Sequence, residues 1–235
     1  MAEIQTLPDT ADWAEACAAR LAATLSAALA NTGKAVFAGS GGSTPPPIYA
    51  RLAETPLDWS NIAVTLIDER YVPESSPESN AALLKRTLLT GPAAAARFVP
   101  LYAPAVTVDR AAALAAHALA KEGGRLDAVL LGMGDDGHIC SMFPESPTLR
   151  TLLSPALKPT VLGVPAGRDG RAPSLERLSI NLPYLMGARR VVLAITGAAK
   201  RTVFEREAGG DPATQPIAAL LAHKVPLEVL WTEKA

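Results

Sequence analysis

Residues 125–145 read RLDAVLLGMGDDGHICSMFPE. The apolar residues Leu126 and Ala128 to Leu131 show no polar alternation and stop at Gly132. A short apolar run bounded by turn residues suits a strand covered on both faces of a parallel sheet. In open α/β sheets ligands sit at the carboxyl ends of such strands. Three glycines let the backbone turn sharply there, while Asp136 and His138 place a carboxylate and an imidazole two residues apart. A carboxylate that orients an imidazole titrating near neutrality is a candidate general-base pair. Gly132-x-Gly134-x-x-Gly137 also matches the dinucleotide-binding fingerprint by letter. That fingerprint needs a helix directly after the glycines and an acidic residue about 20 positions on. Here Pro144 and Pro147 interrupt the segment, and Ala156 and Lys158 stand where the acid belongs, so the reading is set aside.

The totals bound the function from outside. The chain has 235 residues, with 22 Lys and Arg against 23 Asp and Glu and a net charge of −1. No global field points to nucleic acid or to an anionic membrane, so any anion binding is local. Cys17 and Cys140 are too few for a disulfide framework or a structural zinc site. The first residues carry acids early and lack the basic-then-apolar order of a signal peptide. No uninterrupted apolar stretch approaches the roughly 18 residues of a membrane span. These features predict a cytoplasmic protein, read as one α/β domain over residues 1–235; they leave the oligomeric state open, with a monomer favoured.

Strands and helices alternate along the chain. Residues 10–31 place Trp13, Cys17, Leu21, Leu25 and Leu29 four apart, a helical stripe that Gly33 closes. Residues 34–38 (KAVFA) read as a buried strand that empties into Gly39-Ser40-Gly41-Gly42-Ser43-Thr44-Pro45. A strand, a glycine-rich loop and a helix entered through Thr44 as cap and Pro45 at its first position make an anion cradle. Residues 62–67 (IAVTLI) form a second strand, ending on Asp68-Glu69-Arg70, a charged triplet costly at a buried tip unless it is solvated or used. Residues 79–89 read as a helix with Asn80 facing back toward the loops in some registers, 99–101 as a short strand, and 109–122 as an Ala-rich helix with His117 in a structural role. Residues 160–164, 177–182, 189–196 and 227–231 read as further strands. Lys200 follows the glycine at the end of the 189–196 strand by one helical turn, within reach of an anion at the strand tips.

Such alternation predicts a doubly wound, mainly parallel sheet with helices on both faces. Right-handed crossovers bring the strand-end loops to one edge. The loop at 39–44, Asp68, the Asp136/His138 loop and Lys200 should therefore converge.

The set GGSTP at 41–45, DERYV at 68–72, GMGDDGH with SMFP at 132–144, RLSINLPYL at 177–185 and TGAAKR at 196–201 resembles the bacterial-type 6-phosphogluconolactonases within the glucosamine-6-phosphate isomerase/6-phosphogluconolactonase family. The match runs through nearly the whole chain in order. The resemblance implies a sheet like that of glucosamine-6-phosphate deaminase. It also implies hydrolysis of 6-phosphoglucono-δ-lactone to 6-phosphogluconate in the oxidative pentose phosphate pathway, with no metal or organic cofactor. Carried over by position, His138 resembles the general base. Asp136 and Asp68 orient the imidazole or hold sugar hydroxyls. Gly41, Gly42, Ser43 and Thr44, with Arg70, Arg177 and Lys200, resemble the phosphate and oxyanion contacts. The loop departs from the family pattern at Ile139, Cys140 and Met142, where Thr, Ala and Leu are typical.

Three other readings compete. A sister deaminase shares Asp-Gly-His but carries a Glu that assists ring opening, where this chain has Phe143. A thiol nucleophile at Cys140 is chemically possible, although a small buried cysteine is common. A sugar-phosphate sensor needs a DNA-binding segment, yet only about 30 residues precede the strand at 34–38 and the charge is not basic.

Overall fold

The computed structural model describes residues 3–105, 107–168, 170 and 172–233. Asp169 and Arg171, in the charged turn at 167–173, lie outside them. The elements of the first half are β1 (Ile4–Leu7), α1 (Thr10–Thr32), β2 (Ala35–Gly39), α2 (Pro46–Ala53), β3 (Ile62–Leu66), β4 (Asp68–Arg70), α3 (Asn80–Thr87), β5 (Arg97–Phe98) and α4 (Val108–Lys121). There follow β6 (Ala128–Leu131), α5 (Leu149–Leu152), β7 (Val161–Val164), β8 (Arg177–Ile180), α6 (Leu182–Met186), β9 (Arg190–Thr196), α7 (Gly197–Ala208), α8 (Pro216–Ala222) and β10 (Leu227–Thr232).

Seven strands form one sheet in the order β1-β10-β9-β6-β2-β3-β5, and every pairing in it is parallel. The apolar runs read from sequence explain its centre: β2, β3 and β6 are buried at every residue. From β2 the chain moves outward to β3 and β5, then returns to β6 on the other side of β2 and continues to β9 and β10. The reversal lies between β2 and β6, the crevice in which open α/β sheets bind ligands. The loops that leave these two strands are the glycine loop and the Asp136/His138 loop.

Helix α1 lies across β2, β6, β9 and β10. Its Trp13, Cys17, Leu21 and Leu25 are buried. The Asp9 side chain accepts the Asp12 N–H, and Gly33, at φ 72°, donates to the Leu29 carbonyl. Burial pushes the Cys17 thiol up to about 12, so it packs as a small apolar group.

The structure corrects several expectations. The charged triplet is not the tip of β3 but a separate strand, β4, in a second sheet of order β4-β8-β7 whose pairings are antiparallel. The stretches 160–164 and 177–182 supply β7 and β8 there, so they do not extend the parallel sheet. Helix α4 covers this small sheet along β7 and β8. The strand expected at 99–101 is centred two residues earlier, at β5, although the Val99 N–H still donates to the Val64 carbonyl. Helix α2 starts at Pro46 with Pro45 at the cap and no side-chain cap bond, so Thr44 is not the cap. Strand β1 was not expected, because four residues of mixed polarity at an edge carry no usable pattern. Its presence also means that the strand at 34–38 is not the first.

Glu69 fastens the second sheet to the first helix after it. Its side chain is fully buried and accepts the backbone N–H groups of Arg70, Asn80 and Ala81 and the Ser79 hydroxyl at 2.7–3.2 Å. Two of these donors are free N–H groups of the first turn of α3, which a helix cannot satisfy internally. Burial pushes the Glu69 carboxyl above the usual range, against the pull of those N–H donors. Replacing one acceptor oxygen with an amide donor should leave buried N–H groups unmatched, so Glu69→Gln is expected to lose about 2–3 kcal/mol of stability. Urea unfolding followed by circular dichroism measures it, and an unchanged midpoint contradicts the assignment.

Candidate active site

A cavity of about 350 Å³ opens at the carboxyl edge of the parallel sheet. The loop after β2 supplies residues 40–44 to its wall, and the loop after β6 supplies residues 132–135, His138 and Cys140. Ile67 just before β4, Asp68 and Arg70 of β4, Asn80 of α3, Arg177 of β8 and Lys200 of α7 complete it. The expected convergence is therefore present. Of the residues singled out from sequence, Asp136 alone does not line this cavity; it reaches it through His138.

The Asp136/His138 loop is built by close approach. His138 Nδ1 lies 2.5 Å from Asp136 Oδ1, and the His138 backbone N–H donates to the same oxygen at 3.1 Å. Gly134 donates its N–H to the His138 carbonyl at 2.8 Å and accepts from Gly137 N–H at 3.1 Å. A Cβ on Gly134 would stand 2.2 Å from His138 Nδ1, and Gly137 holds φ 89°, so neither position takes a side chain without rearrangement. The Phe143 ring supports the imidazole at 4.2 Å between centroids. No helix follows the glycines before α5, in keeping with the rejection of the dinucleotide fingerprint. Burial works against ionisation of Asp136, but the hydrogen bond and charge of His138 outweigh it and hold the carboxyl below its usual range. With Nδ1 engaged by Asp136, Nε2 is the nitrogen left for chemistry.

Of the two roles open to Asp68 in the sequence, orienting the imidazole is supported by no hydrogen bond or ion pair among the described residues. Its Oδ2 accepts the Ser141 hydroxyl at 2.6 Å and stands 3.8 Å from Arg177. The Asn80 amide donates to its carbonyl oxygen at 3.0 Å. Its partners are the second sheet and α3, and the imidazole takes Asp136 instead. Asn80 was legible only as a residue facing the loops. Its Oδ1 would lie 1.8 Å from a Cβ on Gly41, which is why the glycine loop can lie so close to α3.

Arg70 and Arg177 face each other across β4 and β8 as direct partners in the register. Like charges directly opposite in an antiparallel pair repel. Burial and the nearby Arg70 both oppose the charge on Arg177, and Asp68 offsets them only in part, leaving its affinity for a proton below the ordinary arginine value. The Nε atoms of both arginines, Asn80 Oδ1 and Ser40 Oγ are buried without a hydrogen-bond partner, and all four residues line the cavity. Such groups are costly unless a ligand or water completes them. The place is one an anion would stabilise. Lys200 donates to the Met133 carbonyl at 2.6 Å and pairs with Asp135 at 2.8 Å.

Cys140 is buried with φ 52°, and burial, with the neighbouring Asp68 charge, pushes its thiol well above the ordinary value. A thiol held protonated is a poor nucleophile. Among the described residues no group of three or more His, Cys, Asp or Glu side chains is placed to hold a metal ion, and no helix is long and apolar enough to cross a membrane.

Comparison with known proteins agrees with this geometry. Residues 8–231 match the family described as glucosamine-6-phosphate isomerases/6-phosphogluconolactonase. The chain is 44% identical over 225 residues to the 6-phosphogluconolactonase of Mesorhizobium japonicum, covering 95% of this chain and 92% of that one. It is 41% identical to that of Pseudomonas aeruginosa, covering 97% and 94%. Among solved structures, a 6-phosphogluconolactonase from Shewanella baltica superimposes with a TM-score of 0.91 at 29% identity, covering 99% and 98% of the two chains. A monomeric glucosamine-6-phosphate deaminase shares the fold at a TM-score of 0.75 and 19% identity, covering 98% and 97%. Fold, motif order and relatives agree: this chain belongs to the glucosamine-6-phosphate isomerase/6-phosphogluconolactonase family.

Proposed function

We propose that the protein hydrolyses 6-phosphoglucono-δ-lactone to 6-phosphogluconate in the oxidative pentose phosphate pathway. One observation carries the reading. One cavity is lined by a carboxylate-held imidazole together with two opposed arginines and a lysine, the set of groups a phosphorylated ester needs. The relatives named above, with their 41–44% identity over nearly the whole chain, support the same reaction.

In the proposed mechanism the phosphate is held by Arg70, Arg177 and Lys200 with the N–H and hydroxyl groups of Gly41, Gly42, Ser43 and Thr44. Several charge-assisted donors on one dianion give affinity and a fixed pose together. The pose lays the lactone carbonyl beside His138. Nε2 takes a proton from a water molecule as its oxygen bonds to the carbonyl carbon. The tetrahedral oxyanion is stabilised by a donor of the loops or by Arg70. Collapse breaks the bond from the carbonyl carbon to the ring oxygen, and the imidazolium returns its proton to that oxygen. Asp136 keeps Nδ1 protonated throughout and favours the imidazolium. Asp68 holds Arg177 and, through Ser141, the chain beside the base.

A deaminase reading rests on the shared fold, the shared Asp-Gly-His and a family description that names both activities. Phe143 occupies the place of the ring-opening glutamate and packs on His138, which leaves no carboxyl at that point for ring opening.

With the lactone generated in situ and its spontaneous hydrolysis subtracted, the protein should accelerate ring opening and release no ammonia from glucosamine 6-phosphate. His138→Ala should lower kcat at least about 100-fold with KM changed less than about threefold. Full turnover by that variant sinks the general-base role.

Asp136 gives a separate check. Its carboxyl titrates lower in the folded protein than in the unfolded chain. Its stabilisation is therefore complete above the ordinary carboxylate value and disappears as pH falls through the lowered one. Asp136→Asn should be less stable than the parent at pH 6, and the gap in urea midpoint should close below about pH 4. A gap that widens in acid contradicts the pairing.

A further inference from the structure

Lys200 has three N–H donors, and two are engaged within the protein: one by the Met133 carbonyl and one by Asp135. The two acceptors differ in kind. Met133 offers a backbone oxygen of the β6 loop, fixed in place. Asp135 offers a side chain that is 95% exposed and can swing into solvent. Among the described residues its carboxylate makes no other hydrogen bond or ion pair, whereas the adjacent Asp136 is committed to His138. Asp135 and Lys200 both line the cavity.

We propose that Asp135 is a displaceable internal counter-ion that sets the affinity of this site for phosphorylated ligands. It occupies Lys200 in the free protein, yields the ammonium to the incoming phosphate, and returns to it as the product leaves. The inference deepens the phosphate-anchored reading given above and rests on it. Part of the attraction between Lys200 and a phosphate goes to replacing the existing ion pair, so Asp135 weakens ligand binding. Substrate and product carry the same phosphate and are weakened alike. The residue thereby restrains product inhibition at the cost of a higher KM.

Inorganic phosphate is the probe, titrated calorimetrically into the parent protein and into Asp135→Asn. The exposed position makes misfolding of the variant a minor concern, and its melting temperature controls for it. Phosphate should bind the variant about two- to fivefold tighter at low ionic strength, the size expected of a partly exposed ion pair, with the difference shrinking at high salt. A second measurement reads the side chain itself. The Asp135 carboxyl ¹³C resonance of the parent, assigned by its loss in the variant, should shift as phosphate saturates the site. Equal affinities, or a tighter variant with a parent resonance that does not move, overturn displacement; the second result would leave only a general field effect. Failure of the parent to bind phosphate at all removes the phosphate cradle together with this inference. Phosphate binding unaffected by Asp135→Asn removes the inference alone.

Discussion

The His138 ring stands where any side chain at residue 134 would have to go. That single steric fact organises the site. Gly134 can lie under the imidazole only because it lacks a Cβ. The same residue ties the loop back on itself through backbone bonds to His138 and Gly137. The loop leaves a fully buried strand at the reversal point of the sheet, so a rigid core delivers the imidazole to the crevice. Around it Asp136 fixes one ring nitrogen and Phe143 one ring face. These contacts fix the orientation of the imidazole.

The small antiparallel sheet provides the other half of the site. The parallel sheet alone brings the glycine loop, the imidazole and Lys200 together, whereas Arg70 and Arg177 come from the second sheet. The chain leaves β3 through Ile67, whose N–H donates to the Gly39 carbonyl, and turns at once into β4. Pairing with β8 then sets Arg70 against Arg177. Their repulsion is tolerated because Asp68 stands beside Arg177, Glu69 pins β4 to α3, and the cavity between them is open to an anion. In the proposed reading, local stability is exchanged for a preformed anion site, the usual relation between strain and function.

Much of this was legible in the sequence because the signals are physical ones. Unbroken apolar runs at β2, β3, β6 and β9 announced buried parallel strands, and glycines after two of them announced the loops. The resemblance carried by the ordered motifs named the candidate residues, and they line one cavity or, for Asp136, touch a residue that does. What escaped is non-local. Nothing in Asp68-Glu69-Arg70 tells a strand tip from a strand of another sheet, since the distinction depends on pairing with residues more than 100 positions away. Asp68 accordingly could be read either as a partner for the imidazole or as a holder of sugar hydroxyls. Edge strand β1 has four residues of mixed polarity, too few to carry a period. The cap at α2 failed by one residue because three consecutive prolines leave several positions equally suited to a helix start.

The central claim is that one site joins a positioned base to a phosphate anchor. It is tested most directly by comparing kcat/KM for 6-phosphogluconolactone with that for unphosphorylated gluconolactone, each corrected for spontaneous opening. The account predicts a preference for the phosphorylated lactone of at least about 100-fold, the scale of several charge-assisted contacts to one dianion. Equal values for the two lactones would contradict it, leaving a hydrolase whose arginines serve some other end.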